Sequence, residues 1–421
     1  MILKARKLII GDGVTSIENG AVAIEDGKII AIGNAKELEA KYPDKAVTDY
    51  GDATITPGLI DMHVHIGNCQ TQPDMELYNQ QLKGLMATHE LILSLKKGVT
   101  TVRDVASDNK FCETLKIAAK KGYIQVPRIL TTDRGICMSG GHGAGLSGVL
   151  EVDSPWEVRK AIRQNIREGA DWIKILTSHR TFTPEYTMEE LNAAVDECHR
   201  VGKKICVHAG TEPALSMCIE AGFDTIEHGT YLTVEQAKTM KEKNIAWVPT
   251  IIAYAYINEL YKKQAEQMGI DHNMITPEKI EELKCELKLT RPEFDQSVFS
   301  NENVSSYAYF KNATDIYEKN LKELAETGVT ILAGTDMVVY GAPVTPVAEE
   351  LEYMVSFGMG TLSAIKTATS APAKVLGLDS QIGLLKEGLF ADIAIFEGDV
   401  EKDIAGLKKC KAVYVFGKKV E

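Results

Sequence analysis

Eight short apolar segments, separated by amphipathic stretches, constrain this chain more than any other feature. They run from Leu59 to His65, Thr100 to Asp104, Arg128 to Asp133, Trp172 to Thr177, Lys204 to His208, Thr225 to His228, Ile245 to Thr250 and Thr330 to Asp336. Strands that alternate with helices build a parallel sheet, and eight strands are the number that closes such a sheet on itself. The expected fold is therefore α/β, a (β/α)8 TIM barrel. Both ends of the chain read differently. KLIIGDG and AVAIEDGKIIAIG at the front, and GLLKEGLFADIAIFEG and KAVYVFGKKVE at the back, alternate apolar and polar positions between glycine turns. They read as short antiparallel strands, and together they predict one small β-sandwich domain built from both termini. The expected boundaries are 1–56 and 377–421 for the β domain and 57–376 for the barrel. The stretch from about 251 to 324 is too long for one crossover. It is rich in Glu, Lys and Leu and predicts a helical insertion that caps the barrel.

A length of 421 residues suits an enlarged barrel with one appended domain. The formal net charge of −12 argues against a wrap-around nucleic-acid surface. The first residues, MILKARKLIIGDG, lack the apolar stretch of a secretory signal, and no run of about 18 uncharged apolar residues predicts a membrane span. The eight cysteines are scattered, with no Cys-x-x-Cys pair, which suits free thiols in a reducing cytoplasm. Cys69, Cys137 and Cys206 fall near the candidate site and read as ordinary buried thiols, not nucleophiles.

The chemistry is carried by the C-terminal ends of the strands, where barrel enzymes keep their active sites. The first strand ends in Asp61-Met62-His63-Val64-His65. A strand has a period of two, so His63 and His65 point to one face and can share one ion. By itself His-x-His is weak evidence. The fifth strand, however, ends ICVHAG with His208, the sixth TIEHGT with His228, and the eighth ILAGTDM with Asp336. Imidazole nitrogen and carboxylate oxygen suit Zn²⁺ and its neighbours, and four histidines and an aspartate at four strand ends predict a metal centre. The fourth strand, DWIKIL, carries Lys174 within an apolar run. A lysine at a barrel rim ordinarily snorkels outward. Facing the centre beside two dications it must be neutral or modified, and carbamylation by CO₂ converts it to an anion able to bridge two metals.

TPGLIDMHVH, the lysine of DWIKIL, VHAG, IEHGT and AGTDM together resemble the amidohydrolase superfamily, and VTTVRD, TATSAPAKVLGL and GLLKEGLFADIAIF extend the likeness over nearly the whole chain. The resemblance implies that His63, His65, carbamylated Lys174 and Asp336 hold the first metal and its bridge, and that His208 and His228 hold the second. It implies two divalent ions, zinc foremost. The loop Cys137-Met138-Ser139-Gly140-Gly141-His142-Gly143, and Tyr231 three residues past His228, resemble the imidazolonepropionase-related branch that contains prolidase-type dipeptidases. There His142 and Tyr231 contact the substrate carbonyl or carboxylate; otherwise His142 orders its loop and Tyr231 packs on the cap. Arg134 and Arg180 follow the third and fourth strands and are candidates to pair with a substrate carboxylate.

Metal binding brings the pKa of water to about 7, so the expected nucleophile is a metal-bridging hydroxide. Two dications, one carbamate, Asp336 and hydroxide leave one net positive charge to stabilise a tetrahedral oxyanion. Asp336 is placed to take the hydroxide proton and pass it to the leaving nitrogen. The expected function is a dipeptidase or carboxypeptidase of the prolidase kind, acting on short peptides or N-acyl amino acids, in a cytoplasmic homo-oligomer without nucleic-acid or membrane partners. A cyclic-amide hydrolase of the imidazolonepropionase, dihydroorotase or hydantoinase kind is an alternative, as is a lactonase or phosphotriesterase. A mononuclear deaminase fits less well, because Ala209, Gly210 and Thr211 follow His208 where deaminases place a glutamate. A catalytically inactive scaffold is disfavoured because every candidate ligand position carries a competent group.

Overall fold

The computed structural model describes residues 1–67, 79–177, 184–267, 306–336 and 345–421. Two parallel sheets occupy the middle of the chain. One is three-stranded, with Val99–Asp104 between Leu59–Val64 and Arg128–Thr131. The other is seven-stranded, in the spatial order Val149–Glu151, Gly135–Cys137, Trp172–Leu176, Lys204–Ala209, Thr225–His228, Ala246–Val248 and Thr330–Ile331, with every pair parallel. Backbone hydrogen bonds join both edge strands of the smaller sheet to the larger one. Met62 donates to the Ala333 carbonyl at 2.9 Å, and Asp171 donates to the Thr131 carbonyl at 2.8 Å.

Burial on both faces explains the apolar runs. All five residues of Trp172–Leu176 are buried. Ile173 and Ile175 join the large cluster that includes Leu191, Ile205, Val207 and Ile226, whereas Trp172 packs with Val105 and Cys206. The intervening helices carry their start signals in the sequence. Thr187 with Glu190, and Thr233 with Gln236, form capping boxes, and Ser154 caps a helix with proline in its first turn.

Several parallel strands are shorter than their apolar segments. Arg128–Thr131 stops two residues early because Asp133 is left-handed (φ +57°), and the chain then restarts as Gly135–Cys137. Only Thr330–Ile331 is regular strand in the last segment, although Leu332 still donates to the Trp247 carbonyl.

The termini meet in two further sheets. Four strands, Lys28–Asn34, Gly20–Glu25, Ile2–Lys4 and Val47–Asp49, form one. The other mixes both ends of the chain: Lys418–Lys419, Cys410–Val415, Ile393–Glu397, Ala53–Pro57, Lys7–Ile9 and Ser16–Glu18. Leu3, Val22 and Ile29 of the first sheet share a buried cluster with Leu8, Ile55 and Ile393 of the second. The purely antiparallel reading of the N-terminal strands needs correction. Ile2–Lys4 pairs parallel with Val47–Asp49, and Lys7–Ile9 parallel with Ala53–Pro57. The long return that parallel pairing requires contains a helix, Ala35–Lys41, capped by the Asn34 side chain. In the insertion the structure shows helices Ile251–Gln267 and Ser306–Glu326, which pack on each other; residues 268–305 lie outside the described set. Among the described residues no helix is long and apolar enough to cross a membrane.

Candidate metal centre

The sheet register sets His208 and His228 within one residue of the same level and Lys174 two residues earlier along its strand. Leu176 is paired with His208, Ala209 with His228, and Lys174 with Cys206. His63 and His65 share a face, as the period of two requires, and both turn Nε2 toward Asp336. The distances to Asp336 Oδ1 are 3.5 Å from His63 and 3.2 Å from His65. Candidate ligand atoms of His63, His65 and Asp336 all lie within 4.8 Å of one another. The imidazoles form a continuous series, with ring-centre separations of 5.3 Å from His65 to His63, 5.0 Å to His228, 4.3 Å to His208 and 4.2 Å to His142. Lys174 is buried, with the charges of Glu227 and Asp336 acting on it.

The hydrogen-bond network fixes which nitrogen of three of these rings carries the proton. His63 Nδ1 lies 2.7 Å from Glu227 Oε2, and His65 Nδ1 lies 3.1 Å from the Ala106 carbonyl. Both partners accept only, so both Nδ1 atoms carry hydrogen. His228 Nδ1 lies 2.7 Å from Thr250 Oγ1, whose own proton goes to the Pro249 carbonyl at 2.7 Å. That hydroxyl oxygen therefore accepts from His228 as well. In the neutral form of each ring the lone pair is then on Nε2, and the Nε2 of His65 is turned to the Asp336 carboxylate at 3.2 Å; outer partners orient metal-binding imidazoles in this way.

The close approach of strand ends explains two glycines. A Cβ on Gly334 would lie 2.5 Å from Val248 Cγ1 and 2.8 Å from His63 Cβ, so AGTDM needs its glycine beside the first histidine. A Cβ on Gly141 would meet Glu185 Oε2 at 2.7 Å, and that same oxygen accepts from the His142 backbone N–H at 3.1 Å. The loop is further pinned by Ser139 to Asp153 and by Ser147 to Asp108, and it delivers His142 against His208. His228, Thr250 and Asp336 all adopt left-handed backbone, with φ of +66°, +53° and +46°. Such conformations are costly for residues with a Cβ, worst for β-branched threonine, and they gather at functional sites.

Burial sets the electrostatics. It pulls His63 and His228 well below the ordinary imidazole value, with the Lys174 charge contributing in both cases. It also acts on His65, but there the Asp336 carboxylate wins and the imidazole is raised. Burial lowers Lys174 too. Proton titration of the metal-free protein should therefore be ordered: His65 above the ordinary imidazole value, His63 and His228 well below it. Imidazole NMR shifts against pH check this, and a His63 that titrates with or above His65 contradicts it. Burial raises the Cys137 thiol, and Cys206 is pushed up to about 12, so neither supplies a thiolate near neutrality. Cys69 lies outside the described residues.

Tyr231 is half-buried at the end of the sixth strand, its N–H donating to the Gly210 carbonyl at 3.2 Å. Arg134 Nε lies 3.6 Å from Asp133 Oδ2, and its carbonyl accepts from Asn165 Nδ2 at 2.6 Å. Arg180 lies outside the described residues. Sequence reasoning missed four positioning residues. Glu227 links His63 to Arg103, whose Nη2 donates to Glu227 Oε1 at 2.8 Å. Asp61 accepts from the His63 N–H and from the Thr335 hydroxyl at 2.6 Å. Thr250 is the fourth. The available signal was charge inside apolar strands: Glu227 directly before His228, and Arg103 within VTTVRD.

Imidazoles and a carboxylate gather at the ends of parallel strands, with a buried lysine whose charge acts on them, in a protein of the α/β class. The chain belongs to the amidohydrolase family, whose model matches residues 54–420. Residues 20–44 also match the bacterial imidazolonepropionase-like composite domain. Ochratoxinase of Aspergillus niger is 28% identical over 454 aligned positions, covering 98% of this chain and 84% of that protein. The crystal structure of that ochratoxinase superposes with a TM-score of 0.79 at 26% identity, covering 99% of this chain and 95% of the other. The crystal structure of a Xaa-Pro dipeptidase with methionine bound in its active site gives 0.79 at 27% identity, covering 100% and 99%.

Proposed function

We propose that this chain is a metal-dependent, prolidase-like amidohydrolase that cleaves the amide bond of short peptides or N-acyl amino acids. The observation that carries the metal reading is the convergence of His63, His65 and Asp336, whose candidate ligand atoms lie within 4.8 Å of one another. The Nδ1 atoms of His63, His65 and His228 are each held by an acceptor, which in the neutral rings puts the lone pair on Nε2. The likeness to a Xaa-Pro dipeptidase supports the peptide substrate. On this reading the two parallel sheets close into one (β/α)8 barrel over 57–376, with Gly135–Cys137 and Val149–Glu151 additional to its eight strands, and the terminal sheets are a β-sandwich of 1–56 and 377–421. The active unit is a homo-oligomer without nucleic-acid or membrane partners.

The donor set fits two divalent ions, zinc foremost. His63, His65 and Asp336 would hold one, His208 and His228 the other, and Lys174, carbamylated, would join both. Burial favours that modification, because a lysine held below its ordinary pKa presents more neutral amine to CO₂. When bound, the ions lower the pKa of water and polarise the scissile carbonyl. Asp336 accepts a proton from the attacking water and returns it to the leaving nitrogen. His142, whose ring lies 4.2 Å from that of His208, and Tyr231 orient the substrate carbonyl or carboxylate.

A panel of Xaa-Pro dipeptides, other dipeptides and N-acyl amino acids tests the substrate. The metal-loaded enzyme is expected to turn over members of this panel, and the peptide reading is lost if it hydrolyses none. Elemental analysis of protein expressed with bicarbonate and zinc tests the centre. About two ions per chain are expected in the parent and a marked loss in Lys174→Ala. One ion in both proteins would remove the lysine bridge.

A further inference from the structure

Glu350 lies on the helix Val347–Ser356, and its side chain is completely buried. One carboxylate oxygen accepts from the Ile251 N–H at 3.0 Å and the other from the Ile252 N–H at 2.7 Å. These are the first amides of the seventeen-residue helix Ile251–Gln267, which opens the insertion. A helix start leaves its leading amides without partners inside the helix, and here a side chain from a distant element takes two of them. The residue directly before them is Thr250, held in left-handed backbone at φ +53°. Its hydroxyl oxygen is the acceptor for His228 Nδ1.

We propose that Glu350 is a positioning residue for His228: by clamping the first turn of the insertion helix it holds Thr250 in strained backbone, and Thr250 in turn holds His228 in the Nδ1–H form that frees Nε2. The inference rests on the reading of His228 as a ligand only for its consequence; the structural linkage stands without it. A β-branched residue leaves left-handed backbone unless its surroundings fix it. The preceding carbonyl fixes the Thr250 hydroxyl proton, and the two clamped amides fix the backbone that follows. Burial pushes the Glu350 carboxyl up to about 8, with Asp61 adding to the rise, while the two amide bonds favour the ionised form. The N-terminal end of the helix dipole favours ionisation too. Glu350 also sits on the helix that follows the Asp336 strand end. The clamp therefore ties the insertion to the elements carrying two of the proposed ligands.

The test uses the metal-free, full-length chain with ¹⁵N-labelled histidine at alkaline pH, where the imidazoles are neutral and Glu350 is ionised. His228 is assigned by a His228→Gln variant. In the parent, His228 is expected as the Nδ1–H tautomer, with the Nε2–H form a minor state below roughly 10%. Glu350→Gln presents an amide NH₂ to one of the two backbone N–H groups, and the Nε2–H form should become a major species. Thr250→Val, which keeps the shape and removes the acceptor, should do the same. The double variant should shift no further than the larger single, because both act through one linkage. If Glu350→Gln does not fold, Glu350→Asp, whose shorter carboxylate reaches one amide at most, should give an intermediate shift. Unchanged His228 shifts in a folded Glu350 variant overturn the proposal, as do effects that add in the double variant. The readout needs neither metal nor turnover, so the linkage can fail while hydrolysis stands, or hold while the hydrolase reading fails.

Discussion

Asp336→Asn is expected to lower kcat by about 10³-fold or more while leaving most of the zinc bound. Two roles converge on this side chain, and the substitution separates them. As a ligand, Asp336 offers an oxygen close to His63 and His65 Nε2, and asparagine keeps an oxygen there. As a proton carrier it needs a basic carboxylate, which the amide lacks. Burial opposes ionisation of Asp336, but the neighbouring His63, His65 and Lys174 charges prevail and hold it below the usual carboxylate range. It is therefore ionised and ready to accept a proton at neutral pH. The backbone should tolerate the change. Asp336 is left-handed at φ +46° and donates its N–H to the His63 carbonyl at 2.8 Å. Asparagine is among the few side chains enriched in that conformation. Metal content and kcat measured on one preparation decide the matter. Near-parental turnover with metal bound takes Asp336 out of proton transfer. Loss of both metal and turnover makes it a ligand first.

The proposed ligands were legible because a parallel strand reports its own geometry. Period two put His63 and His65 on one face, and strand ends put His208, His228 and Asp336 beside them. The Gly-Gly-His-Gly loop pointed to His142, whose ring lies 4.2 Å from that of His208. The residues that orient these groups were not legible, because their partners are far away in sequence. Arg103 meets Glu227 across 124 positions, and Glu350 meets Ile251 across 99. No local pattern marks such a pair; only the charge inside an apolar strand hints that a partner exists. Strand pairing at the termini failed for a related reason. Alternation identifies a strand and its buried face but not its neighbour, and Lys7–Ile9 finds Ala53–Pro57 beside it, parallel, across an intervening helix.

Arg103→Met is expected to destabilise the fold by about 3–5 kcal/mol. The guanidinium is fully buried and makes three hydrogen bonds: to the Met62 carbonyl at 2.7 Å, to Thr225 Oγ1 at 3.2 Å and to Glu227 Oε1 at 2.8 Å. It also lies over the Trp172 ring at 4.7 Å. Methionine fills much of the space and restores none of the charge. Glu227, itself fully buried, then keeps a carboxylate with only the Thr225 hydroxyl and the His63 imidazole to satisfy it. Removing one partner of a buried pair is costly mainly because of the charge left behind. That gives the prediction its sharpest form. Glu227→Gln in the Arg103→Met background removes the stranded charge, leaving an amide whose unmet hydrogen bonds cost about 1–3 kcal/mol. The double variant should thus be more stable than Arg103→Met alone, although each single change is destabilising in the parent. Urea unfolding of the four proteins, metal-free, measures the cycle. A double variant as unstable as the sum of the singles would mean that Arg103 acts through packing on Trp172 and its bond to Met62, and that Glu227 reaches His63 without its help.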